Sequence, residues 1–135
     1  MRYLNQFLHD VVKFLRGLEE LRMDFGNGRK TVDARDMGDW ADTLAADCRR
    51  LAKIFDEECE KVEGDEDERW LEQLADIVDC LKDLEGELEW SSHALHGRTK
   101  DGAVRSVIES VGDALNRLQQ ALNAAEIRYE FADVP

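Results

Sequence analysis

The chain has 135 residues, 43% of them hydrophobic and 36% charged, with a single proline at the last position; this suits one folded domain and excludes a disordered chain. Its formal net charge is −13 and its isoelectric point is near 4.6, which argues against sequence-independent binding to nucleic acid or to anionic lipid, since both need a basic surface. No apolar run reaches the roughly 18 residues of a membrane span, and Asp10, Lys13 and Arg16 interrupt the N-terminal stretch, so a cytoplasmic protein is expected.

Four stretches carry helical periodicity. The first, over 3–25, repeats Leu4, Leu8, Val11, Leu15, Leu18, Leu21 and Phe25 at three- and four-residue steps and stops at Gly26-Asn27-Gly28, where a left-handed cap costs little. The second, over 33–62, repeats Trp40 or Ala41, Leu44, Cys48, Leu51, Phe55, Cys59 and Val62, with Asp33 as N-cap and Gly64 as a C-terminal stop. The third, over 66–96, opens on Asp65-Glu66-Asp67-Glu68, a capping-box pattern, and runs through Leu71, Leu74, Val78, Leu81 and Leu88 to His96. The fourth, over 101–129, repeats Val104, Ile108, Val111, Leu115, Leu118, Leu122, Ala125 and Tyr129, and leaves an irregular tail at 130–135. Breaks this short make successive helices antiparallel, so the predicted fold is all-α: a single-domain, up-down-up-down four-helix bundle over residues 1–135, with helices about 35–45 Å long.

Each stretch also carries an interior glycine, Gly17, Gly38, Gly86 or Gly112, which is either a tolerated surface position or a place where two backbones come close. The three cysteines, Cys48, Cys59 and Cys80, are odd in number and lack metal-site spacing, so they are read as reduced and at least partly buried.

The charge is not spread evenly. Between Asp56 and Glu89 there are sixteen acids against three bases, a net −13 that accounts for the whole chain; elsewhere fifteen acids balance fifteen bases. On a helical wheel Glu72, Asp76, Asp79, Asp83 and Glu87 fall within roughly 80° of one another, opposite Leu71, Leu74, Ile77, Val78, Leu81, Leu84 and Leu88. A charge run is commonly just a solvated face. Like charges four residues apart nevertheless cost a few tenths of a kcal/mol each, and the third helix accepts that cost repeatedly.

The sharpest form of a functional field is nucleic-acid mimicry. From Glu66 to Glu89 ten acids face two bases over about 36 Å of helix, or about one net charge per 4.5 Å. One DNA strand carries a charge per roughly 3.4 Å and a duplex one per roughly 1.7 Å. The helix approaches the first density and falls short of the second.

Two constellations point to chemistry. Asp56-Glu57-Glu58-Cys59-Glu60, followed on the next helix by Glu72-Gln73-Leu74-Ala75-Asp76-Ile77-Val78, resembles the metal-binding core of the MazG-like all-α nucleoside triphosphate pyrophosphatases. The resemblance implies a Mg²⁺ ion held on a triphosphate by Glu57, Glu60, Glu72 and Asp76, carboxylates suited to a hard cation. It covers about thirty residues. Gln73 stands where the family places a glutamate, and the family's lysine and asparagine are not evident after Gly97. The second constellation, Glu89, His93 and His96, has metal-ligand spacing, although two histidines at a helix C-terminus are accounted for by charge–dipole attraction. There is no nucleophile elbow and no glycine-rich phosphate loop, and Gly26-Asn27-Gly28-Arg29-Lys30 reads as a turn.

The sequence thus predicts a non-enzymatic acidic interaction protein without a cofactor, an inhibitor or adaptor. It would bind the basic, nucleic-acid-binding surface of a partner protein through Glu72, Asp76, Asp79, Asp83 and Glu87. Direct contact with nucleic acid or membrane is not expected. A homodimer is admitted by the basic group Arg49, Arg50 and Lys53, with Arg98, Lys100 and Arg105, and Trp40, Trp70 and Trp90 are candidate interface anchors. The alternative is the Mg²⁺-dependent pyrophosphatase.

Overall fold

The structure, a computed structural model, describes residues 2–62, 68–97 and 100–125. Among these residues it is all-α, with four helices and no strand: α1 (Arg2–Asn27), α2 (Ala34–Glu60), α3 (Glu68–His96) and α4 (Asp101–Ala124). The elements form where the apolar periodicity places them, and their ends follow local chemistry. α1 stops where Gly28 takes a positive φ of 65°, a conformation that glycine adopts without a Cβ penalty. Asp24, in the last turn of α1, accepts hydrogen bonds from the Thr31 N–H (2.8 Å), the Thr31 hydroxyl (2.7 Å) and the Val32 N–H (2.9 Å), which ties the outgoing loop to the helix. Asp33 is the N-cap of α2, its carboxylate accepting from the Arg35 N–H at 2.8 Å. The expected stop at Gly64, the capping box opening at Asp65 and the helical continuation through 126–129 with its tail lie outside the described residues; α2 ends at Glu60 and α4 at Ala124, which is capped by Ala125.

One apolar cluster draws on all four helices. α1 supplies Leu4, Phe7, Val11, Phe14, Leu18 and Leu21; α2 Met37, Ala41, Leu44, Ala45, Cys48, Leu51, Ala52 and Phe55. From α3 come Leu74, Ile77, Val78, Leu81, Leu84, Leu88 and Leu95, and from α4 Val104, Val107, Val111, Ala114, Leu115, Leu118, Ala121 and Leu122. α1 differs from the predicted stripe: Phe7 and Phe14 point into the core, Leu8 and Leu15 only flank it, and Phe25 is 42% exposed. Its apolar face is wide enough for either line of residues, and packing selects the one that lets Phe14 meet Trp40 edge to face at 5.9 Å. Leu71, placed on the core side by the wheel, is also exposed; it lies in the first turn of α3.

The helices touch as α1 with α2, α2 with α3, α3 with α4, and α1 with α4, and the α2–α3 pair is much the most extensive. α2 buries Gly38, Ala41, Ala45, Cys48 and Ala52, and α3 buries Ser91 and Ser92. Small side chains of this kind permit close approach of helix backbones.

Candidate functional site

The outer face of α3 carries the acidic stripe. Glu72, Asp76, Asp79 and Asp83 are exposed and Glu87 is half-buried, while Leu74, Ile77, Val78, Leu81, Leu84 and Leu88 on the opposite side are in the core. None of the five acidic side chains makes an ion pair or a hydrogen bond with a described residue. Their neighbours on the flank turned toward α2 behave differently: Arg49 of α2 reaches Glu85 at 3.3 Å and Glu89 at 2.9 Å. The field of α3 is therefore divided. One flank shares an arginine between two of its acids, and the outward stripe meets no base among the described residues.

Trp90 extends this stripe. It lies eighteen residues beyond Glu72, which is five full turns, so it falls on the same line, and it is 45% exposed. Trp40 and Trp70, by contrast, pack against the core. The spacing was legible in the sequence, whereas the exposure is set by tertiary packing. Cys80 sits at the edge of the stripe, and its thiol is pushed above the ordinary range by partial burial first and by the Asp76, Asp83 and Asp79 carboxylates after it. The stripe is thus a surface that disfavours further negative charge.

No family model, no curated protein and no solved structure matches this chain.

The two chemical constellations fare differently from the stripe. Glu57, Glu60, Glu72 and Asp76 all lie on exposed faces of α2 and α3, and among the described residues they form no group with three ligand atoms at coordinating distance. Glu89 is drawn to Arg49, so it does not join His93 and His96. His96 instead reaches across to α2. Its Nε2 lies 2.8 Å from Asp39 Oδ1 and its Nδ1 3.1 Å from the Ser92 hydroxyl, and Asp42 stands beside Asp39 one turn on. The Asp39 carboxylate, as hydrogen-bond partner, raises the proton affinity of the ring above that of a free imidazole.

The basic group on α2 is largely occupied within the chain. Arg49 is paired as described, and the Arg50 guanidinium stacks 4.9 Å from the centre of the Tyr3 ring. The Tyr3 hydroxyl in turn donates to Asp47 at 3.1 Å. At the start of α4, Arg105 pairs with Asp101 at 3.2 Å.

Proposed function

We propose that this chain is a non-enzymatic interaction protein, an inhibitor or adaptor that presents the outer face of α3 to a partner protein with a basic, nucleic-acid-binding surface. The observation that carries the reading is the stripe Glu72, Asp76, Asp79, Asp83 and Glu87, which meets no base among the described residues and ends on exposed Trp90, beside a flank where Glu85 and Glu89 share Arg49. Charge complementarity of this kind steers encounter and fixes register, and an aromatic at the end of the stripe supplies the apolar anchor that charge alone lacks. The role needs no cofactor and no direct contact with nucleic acid, and it suits a cytoplasmic protein.

The scaffold in this reading is a single up-down-up-down domain. Support comes from the order of the contacts. Tyr3 meets Asp47 while Gly17 meets Met37; Asp39 meets His96 while Arg49 meets Glu85; Gln73 meets the Ala124 carbonyl while Cys80 meets that of Arg117; Arg22 meets Asp101. In the first three pairs rising numbers on one helix go with falling numbers on the next, and the last contact joins the end of α1 to the start of α4. Such a scaffold holds the stripe straight over about 22 Å from Glu72 to Glu87.

Reversing Asp76 and Asp79 to lysine tests the proposal. Both side chains are exposed, so the far-ultraviolet circular dichroism of the variant should match that of the parent. In a pull-down from host lysate, partners held by the parent at low salt should be lost both in the double variant and on raising the salt. Trp90→Ala should weaken capture while leaving its salt dependence in place. Capture that survives charge reversal would sink the proposal.

A further inference from the structure

The junction of α2 and α3 beyond the Trp90 end of the acidic stripe holds a group of side chains that the interaction surface does not use. Asp39 and Asp42 project from successive turns near the start of α2, and His96 closes over them from the last turn of α3. One ligand atom from each lies within 4.8 Å of the others. Some point is then within about 2.8 Å of all three (4.8/√3), so shifts of under an ångström would reach the roughly 2.0–2.2 Å of zinc–nitrogen and zinc–oxygen bonds.

The imidazole is also held in place. Ser92 engages Nδ1, which leaves Nε2 as the atom turned toward the carboxylates, the arrangement in which an outer partner orients a metal-binding histidine. Gly38 is the floor beneath the ring: a Cβ there would come within 2.8 Å of Cε1 and 2.9 Å of Nε2. A side chain at this position would push His96 away from Asp39. The carbonyl end of α3 adds the negative end of its dipole on the same side.

We propose that Asp39, Asp42 and His96 form a binding site for a divalent transition-metal ion of the Zn²⁺ or Co²⁺ class, with water completing a tetrahedral set. One imidazole nitrogen with two carboxylate oxygens favours such an ion over Mg²⁺, which prefers an all-oxygen octahedron. The ion enters where the Asp39–His96 hydrogen bond now lies, takes the place of its proton, and fastens the start of α2 to the end of α3.

Isothermal titration of the full chain with Zn²⁺, under reducing conditions in a non-coordinating buffer, tests the site, with Co²⁺ absorption as a second readout. The expected result is one saturable site per chain. It should be lost in His96→Ala and weakened by at least about tenfold in Asp42→Asn, which leaves the Asp39–His96 contact intact, while His93→Ala binds as the parent does. The Co²⁺ complex should show tetrahedral d–d bands without thiolate charge transfer. Three outcomes overturn the site: no saturation by millimolar Zn²⁺, binding that persists in His96→Ala or disappears in His93→Ala, or a thiolate band that assigns the ion to cysteine.

Discussion

Alanine at the interior glycines should divide them by what stands opposite each one. In a helix interior, glycine to alanine is worth about 0.8–1.0 kcal/mol. At Gly86 and Gly112 an added Cβ would meet nothing within 4 Å, so that gain should be realised in full. With an unfolding entropy of about 2.1 cal/mol/K per residue, 135 residues give about 0.28 kcal/mol/K, so each change should raise Tm by about 3 °C and the pair by about 6 °C. At Gly17 the added atom would lie 2.8 Å from the methyl carbon of Met37, the free end of a flexible chain that can swing aside, so part of the gain should survive. Gly38 is the opposite case. There the ring of His96 must leave, giving up its contacts with Asp39 and Ser92, and Gly38→Ala should lower Tm. Repeated in a His96→Ala background, the same change should become stabilising, like that at Gly86. Differential scanning calorimetry of the single and double variants reads all of this. A rise in Tm for Gly38→Ala in the parent chain would show that the ring does not rest on that glycine, and would remove one of the supports for the metal site.

Two further outcomes concern titratable groups. The Asp24 carboxyl is held below the usual carboxylate range chiefly by the Thr31 hydroxyl, with the backbone N–H groups of Val32 and Thr31 adding to it. Because its folded pKa is depressed, its contribution to stability is present above the ordinary carboxylate pKa and is lost as pH falls through the lower folded value; Asp24→Asn should flatten the acid limb of a Tm-against-pH curve, and an unchanged limb would contradict the assignment. Burial pushes the thiols of Cys48, Cys59 and Cys80 up, most strongly at fully buried Cys48. Disulfide-exchange reagents near neutral pH should therefore label the native chain slowly, with Cys48 reacting only on unfolding, and rapid native labelling of Cys48 would refute its placement.

What the sequence made legible was local. The Gly26-Asn27-Gly28 stop and the Asp33 cap rest on backbone chemistry that a few neighbouring residues decide, and both stand in the structure. The line of Glu72, Asp76, Asp79 and Asp83 on an exposed face follows from helical period alone. The choice of Phe7 and Phe14 over Leu8 and Leu15 was not legible, because adjacent apolar lines on one wide face differ only in what the neighbouring helices offer them. The approach of His96 to Asp39 was hidden for another reason: the two are 57 residues apart, and only the docking of α3 on α2 brings them together. Its trace in the sequence was slight, two acids three apart near one helix start and a histidine at the following helix end.

The unequal helix interfaces have a consequence of their own. α1 adjoins its two neighbours far less extensively than α2 adjoins α3, yet it buries Leu4, Phe7, Val11, Phe14, Leu18 and Leu21. The element with the weakest backbone embrace is thus the one that seals the interior. Partial opening of the molecule should begin by lifting α1 about its Gly28 turn, with the α2–α3 pair still closed, so that the first breath of the fold carries Phe7 and Phe14 outward and uncovers a leucine- and valine-lined trough before any acidic residue of α3 has moved.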